Sequence, residues 1–78
     1  MQKNVSRGSE EFQMFTDYFA LYKKYGEVEN NDQYWEELLT ELNAFCEKYK
    51  NVKKEFSREI ALALSNELER EYKQIFKR

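Results

Sequence analysis

Six rings fall within fourteen consecutive positions near the start of the chain, at Phe12, Phe15, Tyr18, Phe19, Tyr22 and Tyr25, with Met14 and Leu21 between them. At about 100° per residue these side chains occupy one half of a helix circumference, while Gln13, Thr16, Asp17, Lys23 and Lys24 occupy the other. Ser9 is placed to cap this helix, Glu10 and Glu11 suit its positive end, and Gly26 is expected to end it as a left-handed residue. The polar run EVENND (27–32) follows, with Asn31 or Asp32 as the next cap. Beyond it Tyr34, Trp35, Leu38, Leu39, Leu42, Phe45, Cys46 and Tyr49 lie within about 140° of one another, and Glu36, Thr40, Asn43 and Glu47 face away. Asn51 is the expected stop. In the last third, Phe56, Ile60, Ala63, Leu64, Leu68, Tyr72 and Ile75 form a stripe that widens to Ala61 and Phe76 and leaves Leu62 off it. This helix starts after Asn51 or after Ser57.

The pattern predicts an all-α fold, an antiparallel three-helix bundle with helices over about 9–25, 32–49 and 55–76. Residues 1–8 (MQKNVSRG) are polar and aperiodic and are expected to form a flexible tail before a single helical domain at 9–78. No internal repeat or low-complexity tract stands out.

A core of this size takes roughly one side chain per helix in each of about four or five layers, and the first helix carries about twice what it needs. The expected core is Phe12, Phe15 and Phe19, with Trp35, Leu38, Leu42, Phe45, Ile60, Leu64 and Leu68 from the other helices. The surplus, Met14, Tyr18, Leu21, Tyr22 and Tyr25, is the expected partner-binding face, because tyrosine combines contact area with a hydroxyl that needs water or a partner. Tyr34, Tyr49 and Tyr72 are expected at the boundary of the core.

Charge is distributed in blocks. Glu27 to Glu47 holds seven acids and no base, and Lys48 to Arg58 holds five bases and one acid. Lys48, Lys50, Lys53 and Lys54 are thus a candidate anion-binding segment. The plainer account is that acids at the start and bases at the end of the second helix complement its dipole. In an antiparallel bundle the acidic start also lies near Lys23, Lys24, Lys73, Lys77 and Arg78.

Composition then removes several chemistries. A chain of 78 residues hides only about 60% of its unfolded surface and holds one domain. Histidine is absent and Cys46 is the single cysteine, so serine and cysteine hydrolase arrangements lack their usual base, and neither a zinc ligand set nor a disulfide network is expected. Neither cofactor nor metal is expected. Glu36, Glu37 and Glu41 are expected to be solvated, and Cys46 to behave as a small hydrophobe. No apolar run approaches the roughly 20 residues needed to span a bilayer, and MQKNVSRGSEEF has no apolar stretch of a secretory leader. With a net charge of −2, nucleic acid and anionic membrane are not favoured partners. The expected location is the cytoplasm.

The stretch NDQYWEELLTELNAFCEKYK followed by FSREIALALSNELEREYK resembles a group of short helical proteins of Gram-positive gut bacteria and their phages and integrative elements. That group has no assigned activity, so no functional residue carries over; the resemblance implies an accessory protein of mobile DNA that works by binding. The expected function is therefore a small non-catalytic protein–protein interaction module, with a homodimer as one version. Two alternatives are an inhibitor of a host defence or nuclease complex whose acids mimic nucleic acid, and a nucleic-acid-binding regulator using the basic segment at 48–58.

Overall fold

The computed structural model describes residues 8–76. The expected tail, apart from Gly8, lies outside them, as do Lys77 and Arg78. Three helices run through the described residues: α1 (Glu10–Tyr25), α2 (Asp32–Lys48) and α3 (Lys50–Phe76). All three pack against one another as an all-α bundle. Ring contacts give the directions. Tyr18 of α1 meets Phe45 late in α2, Trp35 early in α2 meets Tyr72 late in α3, and Phe15 meets Phe56 near the starts of α1 and α3. The order is up, down, up, and the bundle measures 45 × 25 × 19 Å, its long axis comparable to the length of α3.

The starts of α1 and α2 follow from side-chain caps. Ser9 accepts from the Phe12 amide at 3.1 Å, and Asn31, rather than Asp32, accepts from the Tyr34 amide at 2.7 Å. The end of α1 departs from expectation. Gly26 is right-handed, at φ −64° and ψ −23°. Its value lies in space: a Cβ there would sit 2.7 Å from the Tyr22 carbonyl oxygen. Helix α2 ends at Lys48 with Tyr49 as its cap, in line with the expected 32–49, but almost no loop follows, because α3 begins at Lys50, earlier than expected. The amides of Val52 and Lys53 both turn back to the Tyr49 carbonyl, at 3.0 and 3.1 Å. Lys53, at φ −144° and ψ 71°, is a break after which α3 runs without another interruption.

Each helix gives the core a stripe of the same 4-3-4 spacing: Met14, Tyr18, Leu21 and Tyr25; Leu38, Leu42, Phe45 and Tyr49; Ser57, Ala61, Leu64 and Leu68. All are buried except Tyr18, which is half-buried against them. This is a heptad-like seam in each helix, which suits packing at small crossing angles. Ser57 is fully buried, and its hydroxyl donates to the Lys54 carbonyl at 3.1 Å.

The expected core holds on α2 and α3 for Leu38, Leu42, Phe45, Leu64 and Leu68, whereas Trp35 and Ile60 are only half-buried. On α1 it is inverted. Phe12, Phe15 and Phe19 are exposed, while Met14, Leu21 and Tyr25, expected to face a partner, are buried. A second regularity links the sequence to the packing. MFTDYFALYKKY (14–25) and LLTELNAFCEKY (38–49) share the positions of Thr, acid, Ala and a final Lys-Tyr. The two threonines make the same bond, Thr16 to the Phe12 carbonyl and Thr40 to the Glu36 carbonyl, each at 2.9 Å. The chain therefore holds a short internal correspondence between α1 and α2, against the expectation of no repeat.

Candidate functional site

Two hydrogen-bonded clamps set the rotation of α1 and so decide what it shows to solvent. At one end the Tyr25 hydroxyl donates to the Glu41 carboxylate, which Lys24 also approaches at 3.0 Å. At the other the Tyr49 hydroxyl donates to Asp17, joined by Lys48 at 2.8 Å and the Gln13 amide at 3.1 Å. The clamps are reciprocal, since the Lys-Tyr pair ending each helix grips the acid in the middle of the other. The repeated pattern of α1 and α2 generates this when the two helices lie antiparallel.

The electrostatics match. The hydrogen bond from Tyr25 draws the Glu41 carboxyl below its usual range, against the opposing effect of burial and with help from Lys24. For Asp17 burial pushes upward, but bonds from Lys48, Tyr49 and Gln13 outweigh it, and the net direction is down. Burial, and then the adjacent carboxylates, raise the phenols of Tyr25 and Tyr49. Tyr34 is pushed up to about 12, chiefly by burial and then by the charges of Glu29 and Glu71. Its hydroxyl donates to the Tyr25 carbonyl at 2.6 Å. Tyr72 donates to the Asn30 side chain at 2.8 Å. The expectation of a solvated Glu41 is thus corrected, and Tyr25, Tyr34 and Tyr49 are core residues whose hydroxyls are satisfied within the fold. Among the described residues no buried side-chain nitrogen or oxygen lacks a partner.

With Asp17 and Tyr25 held inward, Phe12, Phe15, Phe19 and Tyr22 are turned outward. They form a second stripe on α1, at spacing 3-4-3, flanking the buried one. Their exposures are 38%, 46%, 61% and 53%. Phe56 of α3, 40% exposed, extends the patch by meeting Phe15 edge to face at 5.9 Å between ring centres. The Lys23 ammonium lies 5.5 Å from the centre of the Phe19 ring. Five aromatic side chains in one exposed strip is an apolar surface of the kind that marks contact sites. Of the residues first assigned to partner binding, only Tyr22 belongs to it.

Other surfaces are less coherent. A shallow groove between α2 and α3 is lined by Leu39, Leu42, Cys46, Ala61 and Leu62, with Glu55, Arg58 and Glu59 along its side. Cys46 is half-buried there. The basic segment is divided: Lys48 is committed to Asp17 and Lys50 to Glu47, leaving Lys53 and Lys54 exposed around the break in α3. Of the bases expected near the start of α2, Lys24 reaches Glu41, while Lys23 lies over Phe19. Among the described residues no cluster of three or more Cys, Asp or Glu side chains is arranged to hold a metal ion. No described helix is long and apolar enough to cross a membrane.

No family model, curated protein or solved structure matches the chain.

Proposed function

We propose that the protein is a non-catalytic interaction module that engages another polypeptide through the exposed strip of Phe12, Phe15, Phe19, Tyr22 and Phe56. One observation carries this reading. The bundle fills its interior with one stripe of α1 and still presents a second, fully aromatic stripe to solvent. Exposed phenylalanine has no role in maintaining the fold comparable to that of Met14 or Leu21, and desolvating several adjacent rings is what anchors protein contacts. The nucleic-acid readings have less support, because Lys48, Lys50 and Glu41 are engaged in pairs within the chain. The accessory role in mobile DNA implied by the sequence resemblance is compatible with a small binding module.

Photo-cross-linking in cells tests the proposal. A benzophenone side chain replacing Phe19 should give discrete protein adducts, and one replacing the exposed Ala44 on α2 should not. Equal labelling from both positions would refute the assignment of this face.

A further inference from the structure

Granted that the aromatic strip binds protein, we infer that its occupant is a second copy of this chain, docked with the two α1 helices antiparallel across a two-fold axis. The strip has the symmetry such a contact needs. Spaced 3-4-3, Phe12, Phe15, Phe19 and Tyr22 present the same pattern from either end of the helix. A two-fold axis at the level of Asp17 therefore sets Phe12 opposite Tyr22 of the partner subunit, and Phe15 opposite Phe19 of the partner subunit. An isologous interface must be self-complementary in this way. The spacing is also that of heptad a and d positions, which interlock between helices.

Charge selects the orientation. The first turn of α1 carries Glu10 and Glu11, and its last turn carries Lys23 and Lys24. Antiparallel docking brings the acidic end of each helix toward the basic end of the other and opposes the two helix dipoles. Parallel docking would set acids beside acids and bases beside bases. Lys24 is held by Glu41 in the same chain, so Lys23, over the Phe19 ring, is the base placed within the contact.

The available area sets the strength. Taking about 200 Å² for a whole aromatic side chain, the exposed parts of the five rings come to on the order of 500 Å² per copy. A pair would bury about 1,000 Å², near the lower bound for a specific interface. The dimer is accordingly one that exchanges with monomer at micromolar concentrations.

Sedimentation from about 1 to about 500 μM should show conversion from monomer to dimer with a midpoint in the tens to hundreds of micromolar. Phe19→Glu, at a site 61% exposed and so compatible with folding, should raise that midpoint at least 10-fold while leaving the circular dichroism spectrum unchanged. Orientation is read by a short bismaleimide in a Cys46→Ala background. Thr16→Cys lies close to the two-fold axis and should cross-link. Lys23→Cys should not, since antiparallel copies hold these positions on the order of 18 Å apart along the helix at 1.5 Å per residue. A parent that stays monomeric throughout, a dimer indifferent to Phe19→Glu, or cross-linking from Lys23→Cys equal to that from Thr16→Cys would overturn the inference. The mass of the adduct formed from position 19 separates it from the broader reading. Twice the chain mass supports the second copy; another mass, with the parent monomeric, removes the second copy and retains the interaction module; no adduct removes both.

Discussion

Met14→Ala and Phe19→Gln form a pair of substitutions on one helix whose costs depend on which face of α1 is inside. Met14 is 1% exposed at the centre of the apolar cluster. Its truncation removes buried methylene groups and the thioether and leaves a void that the neighbouring Leu, Phe and Tyr side chains fill only in part. The expected loss is about 3 kcal/mol, within the usual range of about 2–5 for such changes. Phe19 hides about two-fifths of a side chain of roughly 200 Å², or about 80 Å², an upper limit of about 2 kcal/mol at 25 cal/mol per Å². Lys23, one turn on in the same helix, lies over the ring, and shielding of this local kind persists in partly helical unfolded chains. Glutamine is also a better helix former than phenylalanine. The expected net cost is below about 1 kcal/mol. A domain of this size is stable by only about 4–12 kcal/mol, so the two variants are readily told apart. Urea unfolding followed by far-ultraviolet circular dichroism provides the measurement, at a few micromolar protein so that association does not contribute. Thermal midpoints should fall by about 12–24 °C for Met14→Ala and by only a few degrees for Phe19→Gln. Equal losses, or a larger loss for Phe19→Gln, would mean that α1 is rotated to put the phenylalanines inside, and the proposed docking strip would go with it.

The clamps predict an acid limb of stability. Because the folded-state carboxyls of Asp17 and Glu41 lie below their ordinary values, their contribution is complete above about pH 5 and is lost as pH falls through the folded values. The thermal midpoint should therefore decline on acidification, and an Asp17→Asn, Glu41→Gln double variant should show a shallower decline; an identical slope would discount the clamps. Gly26→Ala tests the close approach at the end of α1. The right-handed backbone at Gly26 would by itself make alanine stabilising by about 0.4–1 kcal/mol, but the 2.7 Å approach to the Tyr22 carbonyl should reverse the sign to a loss of about 1 kcal/mol or more. A higher melting temperature in Gly26→Ala would show that the turn relaxes to accept the methyl group.

Much of the architecture is legible in local chemistry. Ser9 and Asn31 start helices because their side-chain oxygens satisfy amides that the helix leaves unbonded. On α2 the apolar positions form one compact arc, so Leu38, Leu42 and Phe45 could only face the core. The junction of α2 with α3 was not legible in the same way. The turn is made by backbone amides sharing the Tyr49 carbonyl, and no distinctive residue marks it.

Helix α1 shows where sequence stops being decisive. Its apolar arc contains two complete stripes, one led by Met14 and Leu21 and the other by Phe12, Phe15 and Phe19. Hydrophobic burial has magnitude without direction, so period and residue size alone allow either stripe to be the inner one, and size favoured the phenylalanines. The choice was made by directional bonds between distant segments: Asp17 to Tyr49 and Lys48, and Tyr25 to Glu41, can form only when the Met14 stripe faces inward. The sequence by itself determined three helices, the Ser9 cap and the inward facing of Leu38, Leu42 and Phe45 on α2. Only the tertiary structure decided the rotation of α1, because the hydrogen bonds that select it exist only once the helices are side by side.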